Sequence, residues 1–454
     1  MSLNRRSFIR YASLAAAGNI AGFRPFGAIN ALAQSSPSYK ALVCIFMYGG
    51  NDSNNTLVPF DTSANGTNGY TAYSGIRGPL SIGQSTLLPL GAGANGNYGL
   101  HPSLVNVQSL FNSGNLAFVS NVGTLLQPLT QAQYKAGGAQ TPSNLFSHPD
   151  QQLEWQNAAQ NATSPIGWAG RIADSFGPSF NPSAQIPLIT SVFGDTLFCN
   201  GASTTPVAVA PGNLQGGVCS EGNGCSGRIA TAQQLLTFNS GLSLVQADNA
   251  ITTNAYTYMN ILANAVQSVT PLTTVFPTYE NSLGQQLQQI AQIIQVRQAL
   301  GINRQIFFAG LENFDTHSGQ LTTQAGLLSQ LDGAIGAFYQ ATQELGLANQ
   351  ITTFTMSDFN RAMQPNSNTG SDHAWGGHLF VMGGAVNGGQ IYGTFPTLAL
   401  AGPNDSGVNG RWIPTISSSQ YAATLANWFG VPSSGLASIF PYLGNFTTTH
   451  LGFV

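Results

Sequence analysis

The hydrophobic pattern of the chain alternates between short, continuously apolar runs and longer segments with helical spacing. Residues 41–47 (ALVCIFM) form the clearest apolar run, and 116–120, 305–309 and 351–356 have the same character. Runs of this length without polar alternation are typical of strands buried on both faces. The pattern therefore predicts a sheet that is covered by other elements on each side.

Helical spacing dominates the segments between these strands. Residues 229–300, 321–345 and 418–429 are predicted to be mainly helical. Strands that alternate with helices favour a mostly parallel sheet in a three-layer α/β/α sandwich. Shorter strands are predicted at 186–192, 206–210, 379–382 and 390–392.

Composition narrows the class of protein. Apolar residues make up 43% of the 454 residues but charged residues only 6%, and the net charge is −3. This excludes a coiled coil and a basic nucleic-acid binder, so we expect no nucleic-acid partner. The chain also contains 53 glycines and 23 prolines, which predicts long loops. We expect residues 34–454 to form one large domain with surface insertions at about 62–100 and 196–227.

The first 33 residues predict an export signal. Arg5 and Arg6 precede a short, weakly apolar stretch that ends in the small-x-small cleavage site of residues 31–33. Paired arginines in this position are typical of the bacterial twin-arginine signal, which predicts a periplasmic or extracellular protein. No later stretch reaches the roughly 20 apolar residues of a membrane span. Since the twin-arginine route generally carries folded proteins, the signal also favours a metal site.

Cysteine usage fits an exported protein. Cys219 and Cys225 lie in a glycine-rich loop and are candidates for a small disulfide ring, which an oxidising compartment permits. Cys44 lies inside the first predicted strand and is expected to be buried. The cysteine spacing matches no zinc motif.

The few ionisable residues gather where the predicted strands end. Asp52 follows the first strand, Asp315 and His317 follow the strand at 305–309, and Asp358 follows the strand at 351–356. Ligands of doubly wound sheets bind beyond the carboxyl ends of the strands. Taken alone, Asp52 is better explained as the cap of a turn or helix. Together, these residues predict a metal or catalytic site.

Two further segments bring histidines to the same edge. The segment 372–378 (DHAWGGH) carries His373 and His378, and Ser147 and His148 precede a predicted helix. Taken alone, His148 is also explained as a cap of the helix that begins near Pro149. His317, taken alone, is explained equally well as a hydrogen-bonded loop histidine. Carboxylates combined with imidazoles suit Zn, Mn or Fe, so we expect one or two divalent ions of this kind. Two such ions would clamp the oxygens of an in-line displacement.

These motifs resemble the uncharacterised bacterial family catalogued as domain of unknown function 1501. The matching segments are 39–61, 99–104, 115–123, 146–156, 314–320, 355–366, 372–393 and 428–430. That family is grouped with the alkaline phosphatase superfamily, alongside sulfatases and metal-dependent phosphoglycerate mutases. The resemblance implies an alkaline phosphatase-like α/β/α sandwich with a two-metal site at the strand ends.

The resemblance also implies roles for individual residues. The implied metal ligands are Asp52, Asp315, His317, Asp358, His373 and His378. Phe359 stands where the superfamily usually has histidine, and either His373 or His378 is expected to supply that imidazole. Ser147 is the candidate nucleophile, and Arg361 is expected to grip a phosphate or sulfate oxygen. Asp372 and His148 are expected to support the ligands from behind.

Two functions follow from this site. The first is an exported, metal-dependent hydrolase of phosphate or sulfate esters, acting on a small molecule or a polysaccharide. The alternative is a catalytically degenerate envelope or carbohydrate-binding protein with the same fold.

Overall fold

A nine-stranded, mostly parallel sheet organises the protein. It is seen in a computed structural model that describes residues 39–61, 69–91, 98–158, 164–212, 214, 225–239, 241–277 and 282–454. The predicted export signal (1–33) and Cys219 lie outside the described residues. The predicted disulfide between Cys219 and Cys225 therefore stays a prediction.

The strands of the structure are β1 (Lys40–Met47), β2 (Leu57–Pro59), β3 (Leu88–Pro89), β4 (Tyr98–Leu100), β5 (Leu116–Gly123), β6 (Ile189–Ser191), β7 (Val207–Ala208), β8 (Arg304–Leu311), β9 (Ile351–Ser357), β10 (Gly377–Met382), β11 (Ile391–Tyr392) and β12 (Ile416–Ser417). Five strands of six to eight residues (β1, β5, β8, β9 and β10) form the centre of the large sheet, and the other strands are shorter. The order in the large sheet is β11-β5-β10-β9-β1-β8-β6-β7, with β12 beside β5. Strands β2, β4 and β3 form a small antiparallel sheet of their own.

The direction of β10 decides which residues meet at the site. Every other pair in the large sheet is parallel, whereas β10 runs antiparallel to both β5 and β9. The first residues of β10 therefore lie at the edge where β1, β5, β8 and β9 end. At the centre of the sheet, Ile45 of β1 pairs with Ala309 on one side and Thr355 on the other.

Helices cover the sheet on both faces. They are α1 (Ser53–Thr56), α2 (Tyr70–Arg77), α3 (Val105–Asn112), α4 (Gln131–Ala136), α5 (His148–Asn157), α6 (Trp168–Phe180), α7 (Cys225–Leu236), α8 (Ser243–Gln267), α9 (Leu283–Gln295), α10 (Gln320–Glu344), α11 (Ser418–Phe429) and α12 (Leu436–Ile439). One group packs α3, α9 and α10 together, and the other packs α6, α11 and α12. Between the two groups, β1, β5, β8 and β9 are almost wholly buried, as strands covered on both faces must be.

The structure confirms the α/β fold class and corrects some element boundaries. Strand β5 continues to Gly123 instead of ending at residue 120, and the strand predicted at 206–210 is only Val207–Ala208. Cys44 is buried in β1 with a free thiol, as predicted. Among the described residues, no helix has both the length and the apolar character needed to cross a membrane.

Candidate metal centre

A close approach of two strand exits forms the base of the site. Gly49 and Gly50 follow β1 with φ angles of 105° and 79°, a region that favours glycine. A Cβ atom on Gly49 would lie 2.4 Å from the backbone nitrogen of Asp315, which follows β8. The two glycines therefore allow the exit of β1 to lie directly against the exit of β8.

Three side chains from different elements converge above this base. His148 is the first residue of α5, Asp315 follows β8, and His373 precedes β10. The Nε2 atoms of His148 and His373 are 3.1 Å apart. Asp315 Oδ1 lies 3.4 Å from His148 Nε2 and 3.6 Å from His373 Nε2. Within the described residues, this is the group whose ligand atoms are spaced to hold a metal ion.

The hydrogen bonds behind the two imidazoles fix which nitrogen carries the proton. His373 Nδ1 lies 2.7 Å from the carbonyl oxygen of Phe146, which only accepts hydrogen bonds. His148 Nδ1 lies 2.7 Å from the Asp358 carboxylate. Both Nδ1 atoms therefore donate, and in the neutral rings both Nε2 atoms present lone pairs. Two lone pairs and a carboxylate oxygen thus face each other, so a proton or a cation must lie between them.

The spacing of these atoms suits a shared metal ion. Ligand atoms about 2.1 Å from one ion, at angles between about 90° and 109°, lie about 3.0–3.4 Å apart. The three observed separations are close to this range. The set of two imidazoles and one carboxylate suits Zn, Mn or Fe, and an imidazole held from behind by a carboxylate is a common arrangement around such ions.

Arg361 holds Asp315 in place. Its Nη1 donates to Asp315 Oδ1 at 2.9 Å, and its guanidinium also donates to the carbonyl oxygens of Gly49 and Ser371. The Arg361 side chain is fully buried, whereas that of Asp315 is 47% exposed. Burial opposes ionisation of Asp315, but the hydrogen bond and charge of Arg361 outweigh it and lower the pKa of that carboxyl. Arg361 thus contacts Asp315, and its predicted grip on a substrate oxygen stays a prediction.

Asp358 lies behind His148. Its Oδ2 accepts from His148 Nδ1 and from Gln152 Nε2 at 2.9 Å, and its Oδ1 accepts from the backbone nitrogen of Gly49 at 3.2 Å. Burial lowers the pKa of His148, but the hydrogen bond and charge of Asp358, together with the charge of Asp315, outweigh burial and raise that pKa. Asp358 therefore orients an imidazole, whereas the resemblance implied that His148 would be the supporting residue and Asp358 the ligand.

His317 and Asp372 lie at the margin of the centre. His317 Nδ1 is 2.8 Å from Asp315 Oδ1, and its ring centroid is 4.8 Å from that of His373. The His317 side chain is 43% exposed, so its ring lies on the solvent side. Asp372 Oδ1 accepts from Asn366 Nδ2 at 3.3 Å. Asp372 makes no hydrogen bond to an imidazole in the described structure.

Asp52 is engaged by protein donors and does not join the cluster. Its side chain is fully buried and forms an ion pair with Arg77, which lies on α2. Gln320 also donates to the Asp52 carboxylate. Asp52 Oδ1 caps α1 by accepting from Asn54 N at 3.1 Å. The capping role that the sequence favoured for Asp52 alone is therefore observed. A metal ion would have to displace these donors, so its role as a ligand stays a prediction.

His378 is also separate from the three converging side chains. It is buried in β10, where its Nδ1 lies 2.9 Å from Ser120 Oγ and accepts from Asn121 N at 3.3 Å. Its ring stacks on Phe395 with centroids 4.5 Å apart. Burial lowers the pKa of His378 to about 3. The imidazole is therefore neutral and packed in the core, although the resemblance implied a metal ligand.

Ser147 lies beside the centre, between two residues that help to form it. Phe146 supplies the carbonyl oxygen that accepts from His373, and the next residue after Ser147 is His148. Ser147 Oγ donates to Asp150 Oδ2 at 2.5 Å, one turn further along α5. The predicted nucleophile thus has a carboxylate within hydrogen-bond distance. Asp150 was not among the site residues predicted from the sequence.

Phe359 forms an apolar floor under the two imidazoles. Its ring centroid lies 4.7 Å from those of both His148 and His373, nearly stacked on the latter. From the sequence, Phe359 is identifiable only as the residue that stands where the superfamily usually has histidine. Gln152 was not predicted, although a signal existed, because residues four apart on a helix share a face and His148 begins the same helix.

Comparisons with known proteins point to one family. A model of the family described as "Protein of unknown function (DUF1501)" matches residues 39–409. No curated protein matches the chain. Since residues 39–409 include every residue of the centre, the match covers the whole candidate site.

Several solved structures are similar to the chain at low identity. They include the PsFucS1 sulfatase from Pseudoalteromonas sp. (10% identity, 83% of this chain and 70% of that chain, TM-score 0.32). They also include the lipoteichoic acid synthase LtaP from Listeria monocytogenes (8%, 80% and 67%, TM-score 0.29). A third is Ps i-CgsB in complex with k-i-k-neocarrahexaose (10%, 90% and 77%, TM-score 0.34). Likenesses at these TM-scores carry no conclusion about the substrate of this chain.

Proposed function

The chain belongs to the family described as "Protein of unknown function (DUF1501)", and we propose that this member is a metal-dependent hydrolase of phosphate or sulfate esters. The observation that carries the proposal is the convergence of two imidazole lone pairs and one carboxylate oxygen within 3.6 Å of each other. A carboxylate and a carbonyl oxygen orient the imidazoles from behind. Such an oriented set is expected where a divalent ion binds.

In this proposal His148, His373 and Asp315 hold one ion. When bound, a Zn, Mn or Fe ion supplies a Lewis acid for the oxygens of a phosphate or sulfate ester. One ion is favoured over two, because Asp52 is occupied by Arg77 and His378 is packed against Ser120. Arg361 keeps Asp315 ionised, which a ligand oxygen requires.

Ser147 and Asp150 are the proposed reacting pair of the chain. Ser147 Oγ forms a bond to the phosphorus or sulfur atom, the bond to the leaving alcohol oxygen breaks, and Asp150 Oδ2 accepts the hydroxyl proton. Asp150 then passes this proton to the leaving oxygen and is ionised again. A water molecule then displaces the serine and releases inorganic phosphate or sulfate, and its proton restores the hydroxyl. The 2.5 Å hydrogen bond between Ser147 and Asp150 supports this assignment.

Turnover assays on the metal-loaded full chain test the proposal. Aryl phosphates and aryl sulfates serve as two separate substrate panels, and metal content is measured on the same samples. We expect turnover in at least one panel, a loss of at least about 10²-fold in kcat for Ser147→Ala, and loss of both metal and turnover for Asp315→Ala. Full metal occupancy without turnover in either panel would overturn the hydrolase. It would favour the envelope or carbohydrate-binding alternative.

A further inference from the structure

Cationic side chains are scarce in this protein, and three of its buried or partly buried arginines are already engaged. Arg77 and Arg361 are fully buried and paired with Asp52 and Asp315. Arg171 donates to three backbone carbonyl oxygens, one of them that of Asn157, the last residue of α5. Both Nη groups of Arg361 are held by the Asp315 carboxylate and by backbone carbonyl oxygens, while its Nε is buried without a partner. None of these three guanidinium groups is therefore free to turn toward a tetrahedral oxyanion.

Arg411 is different, because its guanidinium has no acceptor. In the described part of the chain, no nitrogen of this guanidinium forms a hydrogen bond or an ion pair, and its Nε is buried without a partner. The guanidinium carbon lies 4.7 Å from the ring centroid of Phe146. Phe146 is the residue whose carbonyl oxygen holds His373, and Ser147 follows it directly. Arg411 is thus a cation without an acceptor that packs on the residue whose carbonyl oxygen orients His373.

The neighbouring carboxylate does not neutralise Arg411. Asp405 accepts four backbone N–H groups: its Oδ1 bonds Gly407 and Arg411, and its Oδ2 bonds Ala401 and Gly410, at 2.9–3.0 Å. These amides satisfy the carboxylate of Asp405 fully. Its charge therefore stabilises the loop, and the guanidinium of Arg411 is left for another anion.

The backbone that carries Arg411 is fixed to the centre. The next residue, Trp412, is buried, its Nε1 donates to Asn54 Oδ1 at 3.1 Å, and its carbonyl oxygen accepts from Gly376 N at 2.8 Å. Gly376 lies three residues after His373 in the same segment. The position of the guanidinium is therefore coupled to that of a candidate metal ligand, as a substrate-positioning group requires.

We propose that Arg411 binds the anionic group of the substrate, through two oxygens of a phosphate or sulfate. The proposal rests on the function proposed above and deepens it, because it moves the oxyanion grip that the sequence assigned to Arg361 to a different arginine. Arginine suits the task, since its planar fork of donors matches two oxygens of a tetrahedral anion. If Arg411 served only as a packing partner for Phe146, its loss would affect stability and leave anion affinity unchanged.

The test compares Arg411→Gln and Arg411→Lys with wild type, and uses Arg228→Gln as an exposed-arginine control on α7. Inorganic phosphate and inorganic sulfate are titrated calorimetrically into the metal-loaded full chain, and metal content, Tm and KM are measured in parallel. We expect Arg411→Gln to retain metal, to bind the preferred anion at least about 10-fold more weakly and to raise KM. Arg411→Lys should fall between, and Arg228→Gln should match wild type.

The outcomes separate this inference from the proposed function. Unchanged anion affinity and KM in metal-replete Arg411→Gln would overturn the role of Arg411 while leaving the hydrolase intact. The same conclusion would follow if the wild type turned over esters but bound neither phosphate nor sulfate. Wild type that holds no metal and turns over no ester would overturn the proposed function itself. If Arg411→Gln fails to fold, Arg411→Lys carries the same comparison, because it keeps the charge and loses the paired donors.

Discussion

Replacing Arg77 by leucine tests whether Asp52 belongs to the fold or to the metal centre. Arg77 is fully buried, and it donates to the Asp52 carboxylate, to Asn55 Oδ1 and to the carbonyl oxygens of Ala362 and Met363, the last three at 3.1 Å. The Arg77→Leu variant leaves the carboxylate of Asp52 buried without its counter-charge. Breaking a buried pair in this way costs about 3–5 kcal/mol of unfolding free energy, a large part of the total for a typical domain.

A double-mutant cycle isolates the pair from the other contacts of each residue. Asp52→Asn and the double variant are measured beside Arg77→Leu by urea unfolding, with tryptophan fluorescence as the probe. The double variant buries no unpaired charge. We therefore expect its loss of unfolding free energy to be smaller than the sum of the two single losses by about 2 kcal/mol or more. Metal content should be the same in all four proteins.

Two results would refute this account of Asp52. The first is a loss of less than about 1 kcal/mol in Arg77→Leu with additive effects in the cycle, since exposed pairs are worth no more than that. The second is loss of metal in Asp52→Asn at unchanged folding. That result would return Asp52 to the ligand role that the resemblance implied.

Three further predictions follow from the same structure. Asp358→Asn should weaken Zn²⁺ binding by about 10–100-fold, because it disturbs the imidazole that Asp358 orients. A competition titration with a chromogenic chelator measures this affinity, and the control Glu312→Gln, at an exposed position, should match wild type. Burial, and then the charge of Asp150, raise the pKa of Glu154 to about 7, so ionisation is harder in the folded state than in the unfolded one. The free energy of unfolding should therefore fall as pH rises from about 4.5 through 7, by at most about 3 kcal/mol. Urea unfolding at several pH values should show a flatter pH dependence in Glu154→Gln, and an unchanged pH dependence in the variant would contradict the assignment. Phe359→Ala removes the floor under both imidazoles and should lower the free energy of unfolding by about 3–5 kcal/mol, as seen by thermal and urea unfolding, and an unchanged Tm would contradict that packing.

The location of the centre could be predicted from the sequence because strand pattern and topology determine it. The apolar runs at 41–47, 305–309 and 351–356 correspond to buried parallel strands, and parallel strands end at one edge. Residues that follow such strands meet there whatever their exact geometry. Asp315 and His373 were identified in this way.

The contacts behind several side-chain roles could not be predicted, because they join segments that are distant in the sequence. Asp52 meets Arg77 only because α2 packs back over the exit of β1, and nothing in the spacing of the two residues indicates that contact. Likewise, His148 and Asp358 are 210 residues apart, and only the folded chain shows which of them points into the cluster.

The most direct test of the account is the metal content of the full chain, purified without chelator. The centre formed by His148, Asp315 and His373 predicts about one ion of Zn, Mn or Fe per chain in wild type. It also predicts almost none in His373→Ala, while Asp52→Asn retains the wild-type amount. Wild type with no metal under supply of all three ions, or His373→Ala with an unchanged metal content, would contradict the account.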